Sequence, residues 1–530
     1  MEHFQITFNP DGRQISIHAG ATLLEAAGQA GIILNTVCGG KGTCRKCAVV
    51  LDHQARQVLA CQHRIESDLA VTVPPASRLY EHKILEEGPA VAGRLRLNVY
   101  RRYTGEASGP VLFGAAVDVG TTTVVARLLD LTDGRTIATE SALNPQTAHG
   151  DDVISRIAYA ESEAKLAALH KLIIHCVNRL LARLCRRASI DPEDIYEVSV
   201  VGNTTMNHLL LKLPVAQLGR SPYAAHSLDA RDVPPEEIGL YMNPVGNVHT
   251  VENIAGFVGA DTLGAALAVD IEAADGMTLL VDIGTNGELV LGTKDRLYAA
   301  SCAAGPALEG ARIQCGGRAA EGAIEAVVAD EADIDIDVIG SRPARSICGS
   351  GLIDAVAVML DLGVIDATGR FADAEWLRET LAPAICARLT EKDGQAAFLL
   401  AGPGDEGTPE VFLTQKDIRE MQLAKAAIAT GAKLLLKKLA LQAGDIRHVL
   451  LAGAFGNYIR KESALRVRLL PDVPPERIRF VGNAALAGAQ MTLLSHAARA
   501  RAKTLARKIQ YIEIAHEKEF QDTFADSMLF

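Results

Sequence analysis

Four of the ten cysteines fall within 24 residues: Cys38, Cys44, Cys47 and Cys61, spaced C-x5-C-x2-C-x13-C in VCGGKGTCRKCAVVLDHQARQVLACQ. Three thiolates close together on a glycine-rich loop, with a fourth on a later segment, are the means of gripping a [2Fe–2S] pair. Gly39, Gly40 and Gly42 let the backbone curl so that its N–H groups can reach the sulfides. A structural zinc site also takes four thiolates, but its ligands usually arrive as two C-x2-C knuckles, and here there is one. The spacing therefore favours iron–sulfur. Cys176, Cys185, Cys302, Cys315, Cys348 and Cys386 are scattered over the remaining 469 residues without a metal-ligand spacing. They read as small apolar core residues.

A second chemistry is written twice. AAVDVGTTTVVARLLDL is an apolar strand, a D-x-G-T-T turn and another apolar strand, and LLVDIGTNGELVLG repeats the unit 164 residues later. The repeat aligns Asp118 with Asp282, Gly120 with Gly284 and Thr121 with Thr285. Both are hairpins, unlike a P-loop or Rossmann turn, each of which leads into a helix. A tip of Gly, Thr and Asp offers close backbone N–H groups, hydroxyls and one carboxylate. Two facing tips can clamp a polyphosphate while the carboxylates organise Mg²⁺ through water.

These residues must be carried by particular elements. Before the cysteine loop, FQITFNPDGRQISI reads as strand, turn and strand, and TLLEAAGQAGI as a short helix. In this order the region through about Pro75 resembles a plant-type ferredoxin, which implies a β-grasp fold. Residues 77–111 read as a linker with room for one short strand. Asp151 to Ala188 read as an amphipathic helix in two pieces, with Asp151 and Asp152 at its start rather than in a metal cluster with His149. SVVGNTTMNHLLL should run from strand to helix through Asn203, and ICGSGLIDAVAVMLDLG should open a helix after Gly349, Ser350 and Gly351. HVLLAGAFGNYI reads as a buried strand ending in bare backbone at Gly453 and Gly456. The order of these segments resembles the superfamily of acetate and sugar kinases, Hsp70 and actin (ASKHA), whose two lobes close over ATP. That resemblance implies a first phosphate motif of Asp118, Gly120, Thr121 and Thr122, and a second of Asp282, Gly284, Thr285 and Asn286. It also implies an adenosine motif of Gly453, Ala454 and Gly456, and nucleotide contacts near Gly305, Pro306, Glu309 and Gly310.

Composition bounds the rest. With 530 residues, 48% of them hydrophobic and 22% charged, the chain is expected to fold as several globular domains. A net charge of −11 argues against a general nucleic-acid binder, and no apolar run is long enough for a membrane span. A cytoplasmic protein with reduced thiols is expected. The expected division is an α/β chain with a β-grasp ferredoxin at 1–76 and a linker at 77–111. Two ASKHA lobes follow at 112–275 and 276–530, and 112–195 could be a middle subdomain of its own. Residues 1–78 carry seven basic and six acidic side chains, leaving −12 for the remainder. Lys41, Arg45, Lys46, Arg56 and Arg64 around the cysteines suit either a solvated face or a dock for an acidic redox partner.

Over nearly its whole length the chain resembles the reductive activators of corrinoid proteins, the RACo-type ATPases, through the cysteine spacing, NPQ…GDDVISRI, VGNTTM, VDIGTNGEL, AGPALEGA, CGSGLIDA and LAGAFGNYI. The resemblance implies an ATP-hydrolysing enzyme that returns corrinoid Co(II) to Co(I) for a methyltransferase system, fed by a low-potential donor, and a homodimer. The alternative is a carboxylate or sugar kinase with the ferredoxin as redox sensor.

Overall fold

The computed structural model describes every residue except 1–2, 11, 31, 33, 35–41, 43–44, 46, 53–55, 75–76, 78–88, 90–94, 96–97, 105–110, 331, 404–407 and 454–458. At the N-terminal end, alternating Ile6 and Phe8 point one strand, His3–Asn9, into a small core with Leu23, Leu51, Ile65 and Val71. This strand pairs antiparallel with Arg13–His18 and parallel with Leu69–Thr72, and the sheet continues through Ala48–Leu51 to Arg56–Leu59. Helix Leu23–Gln29 crosses it, started by a capping box in which Glu25 Oε2 accepts from Thr22 N–H at 2.7 Å and Thr22 Oγ1 accepts from Glu25 N–H at 3.2 Å. One helix grasped by a mixed five-stranded sheet is the β-grasp fold.

The body holds two six-stranded sheets wired alike. In the first, Phe113–Val119 pairs antiparallel with Thr123–Asp130, which pairs with Thr136–Leu143, while Ile195–Gly202 runs parallel on the other side. In the second, Thr278–Ile283 pairs antiparallel with Gly287–Gly292, then Leu297–Cys302, while His448–Ala452 runs parallel on the other side. The sequence repeat is thus a repeat of wiring: each Asp ends the central strand of its sheet, next to the end of a parallel neighbour. In open α/β sheets that edge is where ligands bind.

Two alanine-rich helices, Ala260–Ala268 and Ala484–Leu494, pack on each other where the lobes meet. Gly264 and Gly488 let their backbones touch, since a Cβ on Gly488 would lie 2.3 Å from the Gly264 Cα. The helix expected from Asp151 to Ala188 is indeed in two pieces, Val153–Tyr159 and Glu163–Ala188. Its first piece is capped by Asp152, which accepts from Ser155 N–H at 2.7 Å. In the linker, the described residues 98–104 form a short helix, Arg101–Thr104, instead of a strand. Tyr103 gives the reason: its hydroxyl donates to the buried Glu197 carboxylate, which Asn247 and Arg499 also bind at 2.7 Å each. Among the described residues no helix is long and apolar enough to cross a membrane.

Candidate functional site

Both hairpin tips face a cavity of about 210 Å³ between the lobes. Gly120 makes the first turn tight, its N–H donating to Thr123 O at 2.9 Å where a Cβ would stand 2.6 Å from that oxygen. In the second turn Gly284 N–H donates to Asn286 O at 3.0 Å. Thr122 and Thr285, one from each tip, bring their hydroxyls to 3.4 Å from each other. Between them Glu309 accepts from both, at 3.1 Å from Thr122 and 2.9 Å from Thr285.

The first tip is braced by three side chains. Asn203 donates to the Thr121 hydroxyl at 2.8 Å and caps helix Thr204–Leu210 by accepting from Met206 N–H at 3.0 Å. Asn144 donates to Gly120 O at 2.9 Å. Arg156, wholly buried, donates to Thr121 O, to Gly150 O at 2.9 Å and to Gln146 Oε1 at 3.3 Å. This is the work of NPQ…R: it holds backbone carbonyls so that the tip's N–H groups and hydroxyls stay aimed at the cleft.

Below the tips the cleft is acidic. Asp118, Asp261, Asp282 and Glu288 all line it. They touch its open space yet sit deep in the protein, and desolvation pushes each carboxyl up. Asp118 rises to about 8, Asp282 to about 7 and Asp261 to about 6, while Glu288 is raised well above its ordinary range. Mutual repulsion adds to the rise of Asp118, Asp282 and Glu288. Ionisable acids that repel one another across one cleft fit a bound divalent metal. Among the described residues no three acidic, His or Cys side chains converge as a direct metal cage. Mg²⁺ keeps much of its water shell and needs only one or two direct carboxylates.

The structure brings Asp118, Gly120, Thr121, Thr122, Asn203, Asp282, Gly284, Thr285, Asn286 and Gly453 to this one cleft. Gly453, in left-handed backbone at φ +91°, is needed for more than a bare surface, because a Cβ there would lie 2.5 Å from Asp282 Oδ1. Ala454 and Gly456 lie outside the described residues. Gly305, Gly349 and Gly351 do not line the cleft. Helix Gly349–Asp361 begins at Gly349, one residue before Ser350, so Cys348 and Ser350 face the cleft instead. Gly351 packs, since a Cβ there would stand 2.3 Å from Ile324 O. Sequence reasoning passed over Asp261, Asn483 and Arg318, all on the cleft wall, and gave Arg156 no role. Asp261 and Asn483 each stand at the start of one of the two crossing helices, and only the crossing brings them there.

In the head, Cys47 and Cys61 are both buried with their sulfurs 3.4 Å apart. Two thiolates about 2.3 Å from one tetrahedral metal stand roughly 3.8 Å apart, so the pair fits two ligands of one iron. The Gln62 amide donates toward Cys61 Sγ at 3.6 Å. Cys38 and Cys44 lie outside the described residues. Of the other cysteines, Cys176, Cys185, Cys302 and Cys348 are buried and Cys315 and Cys386 are half-buried.

A β-grasp head with a cluster-ready thiol pair, joined to two lobes that aim paired hairpins at an acidic cleft, defines an iron–sulfur protein with an ASKHA-type nucleotide module. Family models agree segment by segment. Residues 6–66 match the 2Fe-2S iron-sulfur cluster binding domain, 113–274 the RACo middle region, and 276–530 the C-terminal domain of RACo, the ASKHA domain. The chain belongs to the RACo family. It is 32% identical to a protein named corrinoid activation enzyme RamQ from Eubacterium limosum, across 98% of this chain and 97% of that one. A Methanosarcina barkeri protein named [Co(II) methylated amine-specific corrinoid protein] reductase is 25% identical across 75% of this chain and 73% of its own length. A solved structure titled reductive activator for corrinoid,iron-sulfur protein superposes with a TM-score of 0.73 at 32% identity, covering 99% of this chain and 98% of that one.

Proposed function

We propose that this chain is an ATP-dependent reductive activator: it passes a low-potential electron through a [2Fe–2S] head to a corrinoid protein, reducing inactive Co(II) to Co(I) in a methyltransferase or O-demethylase type of system. The observation that carries the reading is one polypeptide holding both the buried Cys47–Cys61 pair and the clamp of Thr122 and Thr285 above an acidic floor.

When bound, the cluster supplies a one-electron relay and Mg²⁺ neutralises phosphate charge. Cys38, Cys44, Cys47 and Cys61 would hold the cluster. Asp118 and Asp282 would position the cation's water shell, and Gly120, Thr121, Thr122, Gly284, Thr285 and Asn286 would hold the phosphates, with Asn203 steadying the first tip. Exposed Arg45, Arg56 and Arg64 on the head support an acidic donor protein as the source of the electron. Resemblance to RACo-type ATPases supports a homodimer, and the reduced thiols a cytoplasmic setting.

The test is anaerobic mixing of the purified protein with candidate corrinoid proteins, a low-potential reductant and ATP. Appearance of the Co(I) optical spectrum with one candidate, dependent on ATP, is the expected outcome. No Co(I) with any of them, together with ATP turnover that requires a small carboxylate or sugar, would replace this reading with a kinase.

A further inference from the structure

Glu309 bridges the two hairpin tips. Its two carboxylate oxygens accept from the two tip hydroxyls, Thr122 of the first lobe and Thr285 of the second, which are the donors the clamp offers to an anion. Its place is fixed from behind. The turn Pro306–Glu309 is bracketed by left-handed Gly305 and Gly310, and a Cβ on Gly310 would fall 2.0 Å from Gly317 O. The turn also packs against helices Gly349–Asp361 and Gln415–Lys438, which keeps it from retreating. The charge of Glu309 acts on the buried Arg156 and Arg318 guanidinium groups. Of the other cleft carboxylates, Asp118, Asp261, Asp282 and Glu288 form the acidic floor suited to the cation, and Glu325 also lines the wall.

Resting on the reading that ATP binds this cleft, we propose that Glu309 is a catalytic residue of its hydrolysis: its carboxylate competes with the terminal phosphate for the two tip hydroxyls and, once phosphate displaces it from them, takes the proton of the attacking water. In that step the water oxygen bonds to the terminal phosphorus and the bond from phosphorus to the bridging oxygen breaks. ADP leaves with that electron pair, and the water's proton passes to a Glu309 oxygen and then to solvent. Two effects of opposite sign follow. Removing the charge slows the chemical step, and it also removes an anion that competes with phosphate for Thr122 and Thr285.

The experiment compares wild type with Glu309→Gln and Glu309→Asp as full-length, cluster-bearing proteins, measuring ATP dissociation constants by titration and single-turnover hydrolysis with Mg²⁺. For Glu309→Gln the expected result is a fall of about 100-fold or more in the hydrolysis rate, the scale of a lost general base, with ATP held as tightly as in wild type or more tightly. Glu309→Asp, which keeps the charge but cannot reach both hydroxyls, should fall between the two and serves alone if the Gln variant misfolds. Hydrolysis within tenfold of wild type in the Gln variant overturns the proposal, and so does weaker ATP binding with the bound nucleotide cleaved at the normal rate. Wild type that binds no ATP would instead overturn the reading of the cleft itself.

Discussion

Asp118 and Asp282 end equivalent strands, yet burial sets their chemistry as much as position does. Each is charged only against a desolvation cost, and their raised carboxyls make folding depend on pH in a definite direction. A carboxyl that holds its proton more tightly when folded contributes stability below its ordinary range near 4, and that contribution is lost as pH climbs through the folded values of about 6 to 8. Without metal, the melting temperature should fall by several degrees between pH 5.5 and 8.5. Mg²⁺ with nucleotide should restore it, and Asp118→Asn should flatten the metal-free slope. A metal-free melting temperature that is level or rising across that interval would contradict the buried-acid account. The two sites should also separate cleanly. Asp282→Ala is expected to abolish ATP hydrolysis while leaving the cluster's visible absorption intact, and Cys61→Ala to lose the absorption while hydrolysis continues. Failure of both activities in either variant would count against separate roles.

Elements explain which parts of this could be read from the chain. Each phosphate hairpin is local: two apolar strands and a Gly-Thr turn lie within Phe113–Asp130 or Thr278–Gly292, so alternation and turn chemistry announce it. The head's strands and its capped helix are legible for the same reason, whereas loop residues 35–41 around Cys38 lie outside the described structure. What brings Asp261 and Asn483 together is not local. Each is a helix start 222 residues from the other, and alanine-rich helices with no polar stripe give no sign of which neighbour they meet. Arg156 was hidden differently, since a basic residue in an amphipathic helix ordinarily marks its solvated face, and here four polar and sulfur contacts hold it inside. The short linker helix was illegible because it depends on Tyr103 finding Glu197 in a distant strand. The helix crossing makes a prediction of its own. A methyl group at Gly488→Ala must push apart backbones already in contact, at a cost of about 1–3 kcal/mol for overpacking. Nucleotide hydrolysis should drop because Asp261 and Asn483 ride on the displaced helices. Unchanged melting temperature and turnover would show that the crossing tolerates a wedge.

For the molecule as a whole, the question is how a cleft and a cluster speak to each other. Head helix Leu23–Gln29 rests on the turn Pro145–His149, and Glu25 lies close enough to raise the His149 imidazole against the stronger lowering by burial. His149 in turn stacks on Tyr159 with ring centres 4.3 Å apart. That seat hangs on two of the three side chains that brace the first phosphate tip: Asn144 starts the turn and binds Gly120 O, and Arg156 binds both Gly150 O and Thr121 O. A nucleotide that shifts the tip is therefore expected to shift the surface under the head as well. The energy scale is adequate for the task. A ligand that moves a two-state element from 1:99 to 99:1 contributes about 5.5 kcal/mol. One electron moved through 100 mV corresponds to about 2.3 kcal/mol, so the switch could offset roughly 240 mV of uphill reduction. With an equimolar donor about 200 mV milder than the Co(II)/Co(I) couple, single-turnover reduction should reach roughly two-thirds with ATP and stay at about 2 per cent without it. Arg156→Lys keeps the charge but cannot bind several carbonyls at once. It should narrow that difference severalfold while changing ATP affinity much less, measured on the same anaerobic preparation. Equal reduction with and without ATP in wild type would mean that cleft and cluster share a chain without sharing free energy.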